Sequence, residues 1–195
     1  MPKIAKLKEP RGRVRFLNDD ERAALLKATQ ESFYQPLHVI VVLALSTGAR
    51  KSEIMNLCWP DIDMKKGQII LHETKNGERR TIPLTGYALD LINQHKKIRR
   101  INNDMLFPST KGDKPYEIKK SWEAVLKKAD IKDFRFHDLR HSAASYLAMN
   151  GASLAEIAEV LGHKTLQMVK RYAHLSEAHT SSVVSSMNER IFSDV

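Results

Sequence analysis

Cysteine is nearly absent from this sequence, because Cys58 is the only one among 195 residues. A single thiol excludes an internal disulfide framework and a cysteine-rich zinc site, and it fits a reducing compartment. Long apolar runs are missing too: the longest, Val39–Leu45, is far short of the roughly 18 residues that a membrane-spanning helix needs. No apolar segment follows the basic N-terminus, so it does not read as a secretory signal peptide. We therefore expect a cytoplasmic protein without a membrane partner.

The motifs of several large enzyme classes are also missing. Thr47–Ser52 resembles a phosphate-binding loop only faintly, because the upstream glycine is absent. His137 and His141 are four residues apart on a predicted helix, but no HExxH pattern or carboxylate set completes a metal site around them. Neither a Gly-x-Ser-x-Gly elbow nor a catalytic carboxylate pair is present. The sequence therefore predicts no metal and no cofactor.

Positive charge is in excess. Lys and Arg number 32 against 23 Asp and Glu, which gives a net charge of +9 and a pI near 9.6. Such an excess favours a polyanionic partner, most often nucleic acid. Residues 1–15 carry six of these cations and one acid, and they read either as a solvated lead-in or as an arm that lies on phosphates. Length and composition suit one globular domain.

The residue pattern predicts a mainly α (α+β) fold: a helical bundle with a small antiparallel hairpin or three-stranded sheet at one edge. The strand-like runs Gln68–His72 and Arg79–Pro83 are joined by a turn that contains Asn76-Gly77, a strong hairpin signal. Elsewhere helical periodicity dominates, and it predicts a helix over Pro115–Lys128. Ser153–Glu156 forms a capping box that opens a helix ending at Gly162, and a further helix that carries Tyr172 is predicted from Thr165 onward.

Cations, imidazoles and one tyrosine remain as candidates for chemistry, in four segments: Thr47–Ile54, His137–Ser142, Leu161–His163 and Arg171–His174. Each residue alone has an ordinary structural explanation, such as an arginine pairing with Glu53 or a tyrosine packing in the core. Together the segments resemble the signature sequences of the tyrosine recombinase (phage integrase) family, in that family's order and spacing. The resemblance covers about residues 12–180 and implies the recombinase catalytic-domain fold.

The resemblance also implies roles for individual residues in cutting and rejoining DNA at a specific site through a 3′-phosphotyrosyl intermediate. Tyr172 would attack the phosphate, and Arg50 and Arg140 would hold its non-bridging oxygens. The other residues to which the resemblance gives a role are His163 as a hydrogen-bond donor, His137 as proton acceptor or donor, Lys75 as the acid for the departing 5′-hydroxyl, and Glu53 as a support. Lys51, Arg79, Lys164 and Arg171 are further candidates for contact with DNA.

General chemistry agrees with these roles. A phenol with a pKa of about 10 attacks poorly at neutral pH unless its proton is removed or its anion is stabilised. Two guanidinium groups bind phosphate oxygens in a bidentate manner and match the charge that develops in the transition state, so they can replace metal ions. A lysine suits protonation of the leaving oxygen if neighbouring cations lower its pKa.

The resemblance further implies double-stranded DNA as partner and a homotetramer on DNA, with a monomer away from it. Family members carry an N-terminal helical domain that closes a clamp around DNA, and residues 1–15 are too few to form one. We therefore expect three parts: a basic lead-in over 1–15, a catalytic domain over 16–175, and a C-terminal tail over 176–195 that is exchanged between neighbouring subunits.

Two alternatives stay open at this point. Ser153–His174 also reads as a helix-turn-helix, so the chain could be a non-catalytic DNA-binding regulator, although this leaves Arg50, Lys75 and the His137–Arg140 pair unexplained. A topoisomerase with a tyrosine nucleophile is the other alternative. The small size and the Leu161-Gly162-His163 segment favour the recombinase.

Overall fold

The computed structural model describes residues 15–72 and 79–193. The helices are α1 (Asp19–Gln30), α2 (Pro36–Thr47), α3 (Lys51–Met55), α4 (Gly86–Lys96), α5 (Lys119–Lys128), α6 (Asp138–Met149), α7 (Leu154–Leu161) and α8 (Glu177–Phe192). The strands are β1 (Ile62–Asp63), β2 (Gln68–Leu71) and β3 (Arg80–Pro83). Short 3₁₀ helices cover Trp59–Asp61, Leu166–Met168 and Lys170–Ser176.

The three strands form one antiparallel sheet in the order β1-β2-β3. Ile69 at its centre pairs with Ile62 on one side and with Ile82 on the other, and all three side chains are buried against the helices. The predicted mainly α fold with a small antiparallel sheet is confirmed. Strand β1 has only two residues, too few to show a strand pattern in the sequence.

Helix α2 is the centre of the core. It is apolar all round and buried along most of its length, as expected of a helix with neighbours on every side, and it packs against α1, α4 and α6. Neither α2 nor any other helix in the described ranges is long and apolar enough to cross a membrane. The helix ends at Gly48, whose φ of 61° reverses the chain. Arg50 therefore emerges at the end of the most buried element.

The predicted helix after Thr165 is wrong. Thr165 makes no side-chain capping bond, and the chain forms two 3₁₀ helices in place of an α-helix. Val169 and Tyr172 lie three residues apart and are both fully buried against α6 and α7. Burial of both side chains against α6 and α7, which depends on tertiary packing, therefore takes precedence over the α-helical pattern of the sequence.

The start of α5 also differs from the sequence pattern. Helical spacing predicts a helix from Pro115, whereas α5 begins at Lys119. Pro115 instead forms a bridge with Pro108, and the Tyr116 N–H donates to the Phe107 carbonyl at 2.9 Å. Pairing with an extended segment therefore overrides the local helical pattern.

Candidate active site

Arg140 on α6 connects two segments that are far apart in sequence. Its Nη1 donates to the carbonyl of Gly48 at 2.7 Å, and its Nη2 donates to the carbonyl of Leu161 at 2.6 Å. These carbonyls lie two residues before Arg50 and two residues before His163. Because the Arg140 side chain is buried, it fixes both segments relative to α6.

Glu53 joins two arginines. Its Oε1 accepts from Nη1 of Arg50 at 2.6 Å, and its Oε2 accepts from the Arg50 backbone N–H at 2.7 Å and from Nη2 of Arg80 at 2.9 Å. Burial alone would raise the pKa of the Glu53 carboxyl, but the Arg50 N–H and the charges of Arg80 and Arg50 outweigh it and lower that pKa. The carboxylate is therefore ionised and orients both guanidinium groups.

The site carries more positive than negative charge. Burial, followed by the charges of Arg50 and Arg80, lowers the pKa of Arg140 to about 10, which still leaves it charged at pH 7. Burial and the charges of Arg140, Arg50 and Arg80 lower the pKa of His163 to about 4, so its imidazole is neutral. Glu53 contacts Arg50 and Arg80, but its single negative charge does not balance the three arginines, so the cluster is suited to an anion.

Tyr172 lies against the same helix as Arg140. Its side chain is only 2% exposed, and its hydroxyl is 2.5 Å from Nδ1 of His141. Burial, followed by the neighbouring His137, lowers the pKa of His141 to about 4, while burial raises the pKa of Tyr172. The neutral imidazole is therefore the acceptor and the hydroxyl the donor. His141 therefore holds the Tyr172 hydroxyl in place through this hydrogen bond.

His137 is the residue that precedes α6, and its ring packs edge-on against His141 with the centroids 5.4 Å apart. Burial and the charge of Arg140 lower the pKa of His137. Within residues 15–72 and 79–193, no group of three or more His, Cys, Asp or Glu side chains is placed to hold a metal ion. The two histidines thus form an imidazole pair between Arg140 and Tyr172.

The structure brings together six of the residues singled out in the sequence: Arg50, Glu53, His137, Arg140, His163 and Tyr172. Lys75 lies outside the described residues. The four candidate DNA contacts, Lys51, Arg79, Lys164 and Arg171, are all exposed, and Lys51 forms an ion pair with Glu117 at 3.2 Å.

Two residues of the site did not follow from the sequence argument: His141, considered there only as a metal ligand, and Arg80. A signal for Arg80 was available, because side chains alternate along a strand and Arg80 shares its face with the buried Ile82. The contact between His141 and Tyr172 has no local signal, since it depends on how the 3₁₀ helix packs on α6.

The site and fold agree with the comparisons with known proteins. The sequence model of the phage integrase family matches residues 15–179. This chain belongs to the phage integrase family. The integrase of Salmonella phage P22 is 35% identical to it over 191 residues, covering 90% of this chain and 48% of the phage protein. The Escherichia coli shufflon-specific DNA recombinase is 35% identical over 173 residues, covering 88% and 43%.

Among solved structures, the catalytic domain of bacteriophage HP1 integrase is similar to this family member with a TM-score of 0.69 and 29% identity. The match covers 89% of this chain and 95% of that domain. The chain spans about half the length of the curated relatives that it matches. The family resemblance inferred from four short segments is confirmed.

The helix-turn-helix alternative is not favoured for this phage integrase family member. Helix α7 forms as that alternative requires, but the second helix does not. Tyr172, which would lie within the second helix, is instead buried against α6.

Proposed function

We propose that this protein cuts one strand of duplex DNA at a specific site and rejoins it through a 3′-phosphotyrosyl intermediate on Tyr172. One observation carries the proposal: Arg140 is bonded to the segments that bear Arg50 and His163, and the next residue of the same helix, His141, contacts the Tyr172 hydroxyl. Two guanidinium groups, two imidazoles and a phenol thus meet at one end of α6.

The guanidinium groups suit a phosphodiester. Arginine carries five N–H donors, of which Arg140 uses one on each terminal nitrogen for the carbonyls of Gly48 and Leu161. In the proposed complex, its remaining donors and those of Arg50 bind the non-bridging oxygens. The charge on those oxygens grows in the transition state, and fixed donors stabilise it without reorganising. His163 adds a hydrogen bond from its neutral ring.

The proposed chemistry exchanges one phosphoester bond for another. The Tyr172 oxygen forms a bond to phosphorus as the bond to the 5′-oxygen breaks, with His137 taking the phenolic proton and Lys75 protonating the leaving oxygen. Rejoining is the reverse reaction with a 5′-hydroxyl of the partner strand. Because the phosphoester bond energy is kept in the intermediate, rejoining needs no nucleotide.

Duplex DNA is the proposed partner, in the cytoplasm and on the nucleoid. The exposed cations Lys51, Arg79, Lys164 and Arg171 would lie on its phosphates, in line with the net charge of +9. In this proposal residues 16–175 form the catalytic domain and residues 1–15 a basic lead-in.

Recombination requires several active sites on one DNA complex, so we propose a homotetramer on DNA and a monomer away from it. The tail supports this part of the proposal. Helix α8 exposes apolar side chains at helical spacing, among them Val183, Val184, Met187 and Ile191. Packing of α8 on a neighbouring copy would bury them.

A covalent trap tests the nucleophile. Wild type and Tyr172→Phe are incubated with nicked duplexes from the ends of the element that encodes the protein, then denatured and examined by mass spectrometry. Wild type should carry a nucleotide adduct on Tyr172 and the variant none, because phenylalanine has no hydroxyl. The variant should bind DNA within about threefold of wild type, since the phenol makes no positioning contact to the backbone in this proposal.

An adduct that persists in Tyr172→Phe would refute the assignment. DNA binding by wild type without any adduct, on a folded protein, would instead point to a regulator.

A further inference from the structure

Arg80, on β3, is a buried arginine with an incomplete set of partners. Its side chain is 12% exposed, and Nη2 donates to Oε2 of Glu53 at 2.9 Å. Its Nε and Nη1 are buried and have no hydrogen-bond acceptor among the residues that the structure describes. Burying a cation with unpaired donors is unfavourable, and an apolar side chain of similar length would favour folding more. Stability alone therefore does not explain an arginine here.

The guanidinium of Arg80 occupies the space next to Gly162. A Cβ atom added to Gly162 would lie 2.1 Å from Nη1 of Arg80 and 2.9 Å from its Cδ. Gly162 ends α7 with a φ of 64° and directly precedes His163. Arg80 is thus held between Glu53, which orients Arg50, and the turn that presents His163.

We propose that Arg80 is a positioning residue: it fills the gap between Glu53 and the Gly162–His163 turn and thereby sets the separation of Arg50 and His163. The inference rests on the proposed cleavage reaction, in which both side chains must reach one phosphate group. Displacement of a catalytic group by about 1 Å can cost on the order of 100-fold in rate.

Two contacts indicate that the fold does not depend on Arg80. Glu53 keeps two hydrogen bonds to Arg50 when Arg80 is removed. The Leu161 carbonyl, just before the turn, keeps its bond from Arg140. Loss of Arg80 should therefore loosen the spacing of the site without unfolding it.

The test compares Arg80→Met and Arg80→Lys with Arg99→Met, which removes an exposed arginine after α4 and so matches the change in net charge. We expect single-turnover cleavage by Arg80→Met to fall about 100-fold at saturating DNA, with a Kd for DNA within about threefold of Arg99→Met. Arg80→Lys keeps the charge but not the planar guanidinium, so its cleavage rate should lie between those of Arg80→Met and Arg99→Met. The Tm of Arg80→Met should equal or exceed that of wild type.

A second readout does not depend on cleavage. The His163 imidazole is surrounded by the charges of Arg140, Arg50, Arg80 and Arg171. Because Arg80→Met removes one of these cations, it should raise the pKa of His163. Arg99→Met should leave this pKa unchanged, and NMR titration of the imidazole measures both. A selective change would show that the Arg80 charge lies beside the imidazole, whereas a residue far from His163 would leave this pKa unchanged.

Cleavage by Arg80→Met at the rate of Arg99→Met would overturn the inference. A lower Tm together with slow cleavage and an unchanged His163 pKa would overturn it in favour of a purely structural role. If Arg80→Met does not fold, Arg80→Gln, which also removes the charge, supplies the same comparisons. If wild type forms no adduct, the proposed function fails, whereas the His163 titration still shows whether Arg80 acts on the turn.

Discussion

At the scale of single residues, Gly162 meets two requirements at once. Its φ of 64° lies in the left-handed region, and the place of its missing side chain is taken by the Arg80 guanidinium. Gly86, at the start of α4, has a φ of 54° but nothing within 4 Å of an added Cβ. Substitutions at the two glycines therefore distinguish the cost of a left-handed backbone from the cost of steric overlap with Arg80.

We predict that Gly86→Ala lowers the free energy of unfolding by about 1–2 kcal/mol, the cost of the left-handed backbone alone. Gly162→Ala should lower it further, because Arg80 must move, and it should also slow cleavage. Urea unfolding of both variants gives the difference. Equal losses for the two variants would show that the contact with Arg80 carries no strain.

At the scale of elements, α7 holds the Leu161 carbonyl to which Arg140 donates. The helix begins with a reciprocal pair: the Glu156 N–H donates to Ser153 Oγ at 3.2 Å, and the Ser153 N–H donates to Glu156 Oε2 at 2.7 Å. It ends at the left-handed Gly162. Strong signals at both ends fix the length of α7, and so the place of its last carbonyl.

The contribution of the Ser153 capping bond to stability can be measured by comparison with Thr165, a nearby position that makes no such bond. Ser153→Ala should lower the free energy of unfolding by about 1 kcal/mol, because the Glu156 N–H loses its acceptor. Thr165→Ala should have little effect, since Thr165 makes no capping bond to the 3₁₀ helix that follows. Chemical denaturation of the two variants provides the values, and a larger loss for Thr165→Ala would contradict this account.

At the scale of the whole molecule, stability should depend on pH through its buried imidazoles. Burial is the first cause of the lowered pKa of each of four histidines: His38, His137, His141 and His163. The unfolded chain binds these protons near its ordinary pKa of about 6.5, whereas the folded protein does not. The contribution of the neutral imidazoles to the free energy of unfolding is therefore complete above about pH 6.5 and is lost as the pH falls toward 4.

We predict a lower urea midpoint at pH 5.0 than at pH 7.5. Because pH 5.0 is still above the ordinary pKa of Glu53, protonation of the imidazoles dominates the change in the urea midpoint. His141→Gln should reduce the difference between the two midpoints, and His174→Gln, an exposed control, should not. Identical wild-type midpoints at the two pH values would contradict the buried imidazole account.

Much of the fold could be predicted because its signals are local. The Ser153 capping box, Gly162 as a helix end and the alternation of β2 and β3 each act over a few residues, and the structure contains all of them. The start of α5 and the 3₁₀ geometry around Tyr172 could not be predicted in this way. There, pairing with Pro108 and burial of Val169 override the local helical pattern.

The sequence by itself determined the family, the mainly α class and the residues of the four signature segments, because motif spacing and helix-end chemistry can be read along the chain. Only the tertiary structure decided that Arg80 contacts Glu53 and that His141 holds the Tyr172 hydroxyl. The contacts that assemble the site join residues 92 positions apart, in Arg140 and Gly48, and 31 apart, in His141 and Tyr172. Such contacts arise from packing around α6, which no local pattern encodes.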